Sequence, residues 1–134
     1  MAYEIPGQTR SYEAAVDLSG SYLRFVKLNG AVLVAVAAAT DKAVGVLQNK
    51  PNKPGTGVFL GAERSSATVM ISGVTRAING VAGALAAGVP VYLDSVGRVT
   101  TTAQAGQCVG ITETAAAAQG EVVSVLLKPL GSVS

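Results

Sequence analysis

The chain has 134 residues, enough for one domain with a core of its own, so neither disulfides nor a metal is needed to hold it together. Apolar residues make up 49% and charged residues 13%, which excludes the disordered class; the apolar share is mostly Ala and Val, with aromatics at 4% and no Trp. The net charge of +2 comes from ten basic residues scattered singly between Arg10 and Lys128. Nucleic-acid interfaces cluster such residues, so no nucleic-acid partner is expected.

Residues 1–20 open the chain as a polar segment. Pro6-Gly7 is a turn signal, Glu4, Gln8, Arg10, Glu13 and Asp17 are polar, and Tyr3, Ile5 and Tyr12 show no clear period. The segment reads as an extended N-terminal arm rather than a core element, with a frayed terminus as the ordinary alternative. No basic run precedes an apolar stretch at the start, so no signal peptide is expected. The longest apolar stretches, such as Ala31–Ala39, are too short to span a bilayer as a helix, and a soluble cytoplasmic product with no membrane partner is expected.

Beyond residue 20 the chain reads as short strands and turns. Tyr22–Leu28 is rich in β-formers and runs into Asn29-Gly30, a strong hairpin signal, with Val32–Val36 on the far side. Ala43–Gln48 follows, then a Pro/Gly-rich loop over Asn49–Gly57 and a short apolar patch at Val58–Leu60. Ala67–Ser72 and Val74–Ile78 are further strands. The small-residue stretch Asn79–Gly88 is too short and glycine-flanked for a stable helix. Pro90–Asp94, Val99–Thr102, Cys108–Thr112 and Glu121–Lys128 complete a series spaced as in all-β barrels and sandwiches. The expected fold is all-β, with residues 21–134 as a single β domain.

Two segments of that domain repeat. Phe25–Asn29 and Val44–Leu47 match Pro90–Asp94 and Val109–Thr112 at one offset, 65 (91 − 26 and 110 − 45). Val26 and Leu28 then answer to Val91 and Leu93 on one strand face, with Lys27 and Tyr92 on the other. Gly45 and Gly110 fall inside apolar strands at matching places, where a bulge or a close backbone approach explains a glycine. The halves are placed at about residues 21–78 and 85–130, each closed by a last strand, Ala67–Ser72 or Glu121–Lys128. The first half carries roughly ten extra residues around Lys53–Arg64, longer than an ordinary hairpin loop.

The residues offer little chemistry. Histidine is absent, which removes the usual general base, the Ser-His and Cys-His nucleophile pairs and the commonest metal ligand. Cys108 is the single cysteine, so no internal disulfide forms and a zinc site lacks ligands; it reads as a small buried filler matching Ala43. The eight carboxylates are dispersed, and Asp94 beside Ser95 and Gly97 is turn chemistry. The alanine runs Ala35–Ala39 and Ala115–Ala118 read as linkers, or else as flat surface for subunit packing. No enzyme activity, cofactor or metal is expected.

Several segments recur in the order found in one family: Met1–Gly7 (MAYEIPG), Ala43–Pro51 (AVGVLQNKP), Ala67–Gly73 (ATVMISG), Gly88–Asp94 (GVPVYLD) with Gly97, and Val122–Pro129 (VVSVLLKP). Together they resemble the capsid cement, or head decoration, proteins of tailed bacteriophages over nearly the whole chain. The chain departs from the pattern in the insertion between Pro51 and Ala67. The resemblance implies a non-enzymatic structural protein of the virion, with a small β-barrel, β-tulip or β-clip-like body and an N-terminal arm. It implies binding to the outer surface of the expanded viral capsid, bridging of major capsid protein subunits, and resistance to internal DNA pressure. It also implies a homo-oligomer, a homotrimer foremost and a dimer as the alternative. Tyr3, Ile5, Pro6, Arg10 and Tyr12 are the expected capsid-binding residues of the arm, and removal of residues 1–14 is expected to leave the body folded. The competing reading is a small β-module that binds a host surface or glycan, as in an adhesin or fibre; the low aromatic content disfavours it.

Overall fold

The computed structural model describes residues 5–14, 18–30, 32–49, 65–101 and 108–128. Short alternating apolar runs, interrupted by Gly, Asn and Asp, become strands β1 (Ile5–Pro6), β2 (Thr9–Ala14), β3 (Phe25–Asn29), β4 (Val32–Ala35), β5 (Ala43–Leu47) and β6 (Ser65–Met70). They continue as β7 (Gly73–Ile78), β8 (Pro90–Leu93), β9 (Val99–Thr100), β10 (Cys108–Thr112) and β11 (Val122–Leu127). The described residues contain no α-helix, so the chain is all-β as its residue pattern indicates. β3 begins three residues later than Tyr22. Leu23 takes a left-handed φ of 63°, and a 3-10 turn occupies Ser19–Ser21. The patch Val58–Leu60 and most of the Pro/Gly-rich loop lie outside the described residues.

β2 to β6 close into a barrel in the order β2-β4-β3-β5-β6. All its pairings are antiparallel except β2 with β4, which is parallel. The other strands form a six-stranded sheet, β1-β7-β11-β10-β8-β9. Asn79, directly after β7, meets β9 at the far end of the sheet through a parallel bridge to Val99, and the Gly80 N–H donates to the Val99 carbonyl at 2.7 Å. β7 to β11 therefore close as a second barrel, with β1 paired in the sheet to the start of β7.

The two barrels are copies of one unit. Phe25, Val26 and Lys27 pair with Val46, Gly45 and Ala43, with a bulge after Val26. Pro90, Val91 and Tyr92 pair with Ile111, Gly110 and Cys108, with the bulge at the same place, an offset of 65 (90 − 25) throughout. Val46 and Leu47 pair with Met70 and Val69 as Ile111 and Thr112 pair with Leu126 and Val125. On these last strands the offset is 56 (126 − 70), so the first copy is nine residues longer (65 − 56) between its fourth and fifth strands. The β2–β6 ladder from Thr9↔Met70 to Glu13↔Ser66 reappears as Val74↔Leu126 to Ile78↔Val122, again offset 65 for the first strand (74 − 9).

That last match revises two expectations. The arm over residues 1–20 does not extend past residue 8, because Thr9–Ala14 is the first strand of the first barrel, six residues in register with β6. The repeat units accordingly run from residue 9 to 70 and from 74 to 127, not from 21 to 78 and 85 to 130. Backbone hydrogen bonding explains the revision: a polar strand still satisfies its neighbours' donors and acceptors, and the barrel cannot close without it.

The paired glycines are required by close approach. A Cβ on Gly45 would lie against the Met70 carbonyl oxygen and 2.6 Å from Val69 Cγ1. One on Gly110 would lie against the Leu126 carbonyl and 2.9 Å from Val125 Cγ1. These contacts are counterparts under the repeat.

Inward residues of the first barrel, among them Leu18, Val26, Leu33, Leu47 and Val69, form one buried cluster. Strand alternation turns Phe25, Val46 and Met70 to its outer wall. These three join the interior of the second barrel, including Val91, Leu93, Val109 and Val125, in a single second cluster. Inter-barrel hydrogen bonds reinforce it: Phe25 N–H to the Gly97 carbonyl at 2.7 Å, and Gln48 Nε2 to Thr75 Oγ1 at 2.9 Å. The first barrel thus plugs its outer wall into the second.

Candidate partner-binding surface

The five residues expected to contact a partner separate in the structure. Ile5 and Pro6 form β1, paired with Val74 and Gly73 at the end of the six-stranded sheet. Arg10 and Tyr12 lie in β2 instead. Arg10 is exposed, and Tyr12 is half-buried against the interior of the first barrel. Tyr3 falls outside the described residues.

Between β1 and β2 the chain crosses from one barrel to the other. Gln8 N–H donates to Ser72 Oγ at 2.8 Å, and Ile71 N–H donates to the Gln8 carbonyl at 2.9 Å. Ile5–Ala14 therefore runs antiparallel along one continuous partner segment, residues 65–74, and staples the units together.

Most large apolar side chains are buried, and the exceptions carry information. Leu28, Val96, Ile111 and Leu126 are 38%, 41%, 47% and 45% exposed. Ile111 and Leu126 face each other across β10 and β11, and Pro90 opposes Ile111 on β8, also exposed. A three-strand apolar row, Pro90–Ile111–Leu126, therefore lies open on the outer wall of the second barrel. Strand alternation alone would place polar residues there.

The polar groups inside the protein are structural. Asn79, fully buried, donates through Nδ2 to the carbonyls of Gly83 (3.0 Å) and Ala118 (2.9 Å) and accepts from Val81 N–H at 2.9 Å. It organises the helix-free stretch 79–88. Thr112 likewise bonds Ala86 and Val89. Asp94 accepts from Val96 N–H and Arg98 N–H at 2.9 and 2.8 Å and pairs with Arg98 Nε at 3.0 Å, so it is a turn residue as its neighbours suggest. Cys108, matched to buried Ala43, is half-buried rather than fully enclosed. The described residues hold no group of three or more His, Cys, Asp or Glu side chains placed for a metal. Among them no helix is long and apolar enough to cross a membrane.

Among the described residues, Asp41 is the one acid with a marked shift. The Ala37 backbone N–H, the Lys27 ammonium and the Ala38 N–H, in that order, hold its carboxyl below the usual carboxylate range. The bonds are 2.8 Å to Ala37, 3.0 Å to Lys27 Nζ and 2.9 Å to Ala38. With the folded pKa depressed, the stabilisation is present above the unfolded value of about 3.9 and is lost as pH falls through the lower folded value. Asp41→Asn is expected to lower the melting temperature at neutral pH and to flatten its decline below about pH 4, measured by thermal melts across pH. An unchanged acid limb would show that this turn is not coupled to global unfolding.

The residue pattern did not reveal the exposed row, because Ile111 and Leu126 read as ordinary strand residues; their offset match to Val46 and Met70 was the available signal. No protein-family model matches the chain, and no curated protein matches it.

Proposed function

We propose that this chain is a head decoration protein of a tailed bacteriophage. It binds the outer surface of the expanded capsid, bridges neighbouring major capsid protein subunits and reinforces the shell against internal DNA pressure. It acts by holding surfaces, without catalysis or a cofactor, as part of the virion after synthesis in the host cytoplasm, and as a homo-oligomer. The resemblance carried by AVGVLQNKP and the other ordered segments supports the reading.

The structural observation that carries it is the position of β1. This two-residue strand is the last in its sheet and lies outside both barrels, attached by its backbone to β7. A terminal strand of this kind can present main-chain donors and acceptors to a neighbouring protein, or leave with it, while the barrels stay rigid. The contact segment is accordingly Tyr3, Ile5 and Pro6. Arg10 and Tyr12 serve the barrel. Several copies acting together convert modest single contacts into firm attachment.

Deletion of residues 1–4 tests this. The shortened protein is expected to melt like the parent and to bind expanded heads at least about tenfold more weakly in co-sedimentation, a loss of roughly 1.4 kcal/mol. Full occupancy by the shortened protein and by a variant that also lacks Ile5 and Pro6 would end the role of this terminus. Failure of the intact protein to bind heads, with a positive signal on a glycan array, would replace decoration with host-surface binding.

A further inference from the structure

The repeat places the same contact in two states. In the first barrel the outer row Phe25–Val46–Met70 is 0%, 0% and 3% exposed, because the second barrel covers it. Its counterpart in the second barrel, by the offsets above, is Pro90–Ile111–Leu126, which is open. The receiving end behaves in the opposite way. Ala77, Leu93, Val109 and Leu127 of the second barrel are buried in the shared cluster, at 0%, 1%, 0% and 7%. Their counterparts in the first barrel are Tyr12, Leu28, Val44 and Ile71, none of them fully buried, with Leu28 at 38%. One chain therefore contains one completed row-to-mouth joint, one vacant row and one vacant mouth.

The polar contact beside the joint has a charged counterpart. Gln48 Nε2 donates to Thr75 Oγ1 within the chain. The equivalent positions are Glu113, beside the vacant row, and Arg10, beside the vacant mouth, both exposed and opposite in sign. One bond is not repeated: Phe25 N–H donates to Gly97, whereas Pro90 has no N–H to donate.

We propose that copies of this chain associate head to tail: the Pro90–Ile111–Leu126 row of one copy seats in the Tyr12–Leu28–Val44–Ile71 mouth of the next, and Glu113 meets Arg10 across the joint. The inference rests on the self-association within the function proposed above, and not on capsid binding. The partner is a second copy because the surface each vacant half fits is already present, joined, inside the chain. Joints between unlike faces close into rings when the rotation allows. Here each copy adds two barrels to such a ring.

The experiment measures mass in solution by sedimentation, without heads. The intact protein is expected at a multiple of its 13.4 kDa chain mass. A row variant (Ile111→Glu with Leu126→Glu) and a mouth variant (Leu28→Glu) are each expected to be monomeric with native-like melting, since the altered residues are exposed in the monomer. Mixed one to one, they are expected to form a two-chain complex, because each retains the face the other lacks. Arg10→Glu and Glu113→Arg are each expected to weaken association about tenfold, and their combination to restore it, as for a direct charge pair. An intact protein that stays monomeric at high concentration, or a row or mouth variant of unchanged mass, overturns the proposal. A mixture that stays monomeric overturns the head-to-tail geometry. Loss of capsid binding with these masses unchanged would instead count against decoration alone.

Discussion

Deleting residues 1–14 is expected to unfold the first barrel rather than release a trimmed, stable body. The cut removes the whole of β2, which pairs with β6 over six residues and closes the barrel against β4. It also removes buried Ala14 and half-buried Tyr12 from the core, and exposes the edges of β4 and β6. Hydrogen bonds worth about 1 kcal/mol each are lost along the ladder. Their sum, with the lost apolar burial, rivals the entire stability of about 5–15 kcal/mol expected of a small domain. The open edges also favour aggregation. The checks are soluble yield and the cooperativity of the thermal melt, compared with the four-residue deletion. A cooperative melt within a few degrees of the parent would show that β2 is dispensable and would restore the longer arm.

Phe25→Ala is expected to destabilise both barrels together. Phe25 is fully buried on the outer wall of the first barrel, within the cluster that holds the interior of the second. Truncating a buried Phe costs about 3–5 kcal/mol in lost transfer energy and residual cavity. For a chain of this length that is a fall of roughly 10–15 °C in melting temperature. One transition is expected, since the residue belongs to the core the barrels share. Two separate transitions, or a shift under about 3 °C, would mean that the joint contributes little to folding. The same substitution serves as an internal reference for the joint between copies, whose row has the same register but the residues Pro90, Ile111 and Leu126.

The repeat could be read from residues because its markers are local and chemically strict. Gly45 and Gly110 sit where any side chain would strike a neighbouring carbonyl, and each follows a Val one position earlier on the bulged strand. Strand content was legible from short runs of β-formers bounded by turn residues, although β3 and β5 bury both faces, with Phe25 and Val46 toward the second barrel and Val26 and Leu47 toward the interior of the first. The repeat did not extend visibly to the first strand of each copy. TRSYEA and VTRAIN share no residue at matched positions, and Arg10 stands at an inward position near the barrel's end, where it reaches solvent. A strand with so few apolar residues looks like an arm, and only its backbone pairing identifies it.

The candidate surface was less legible still. Arg10 and Tyr12 are close to Ile5 and Pro6 along the chain, but the crossing at Gly7 and Gln8 delivers the two pairs to different barrels. Val46 and Ile111 hold equivalent positions and are both apolar, yet one is 0% and the other 47% exposed. Periodicity, turn residues and glycine sterics act over a few residues, so the order of amino acids was sufficient to specify an all-β chain and most of a twofold repeat. Which polar stretch closes a barrel, and which of two matching faces is covered, depend on contacts between segments some 60 residues apart, and those exist only once the chain has folded.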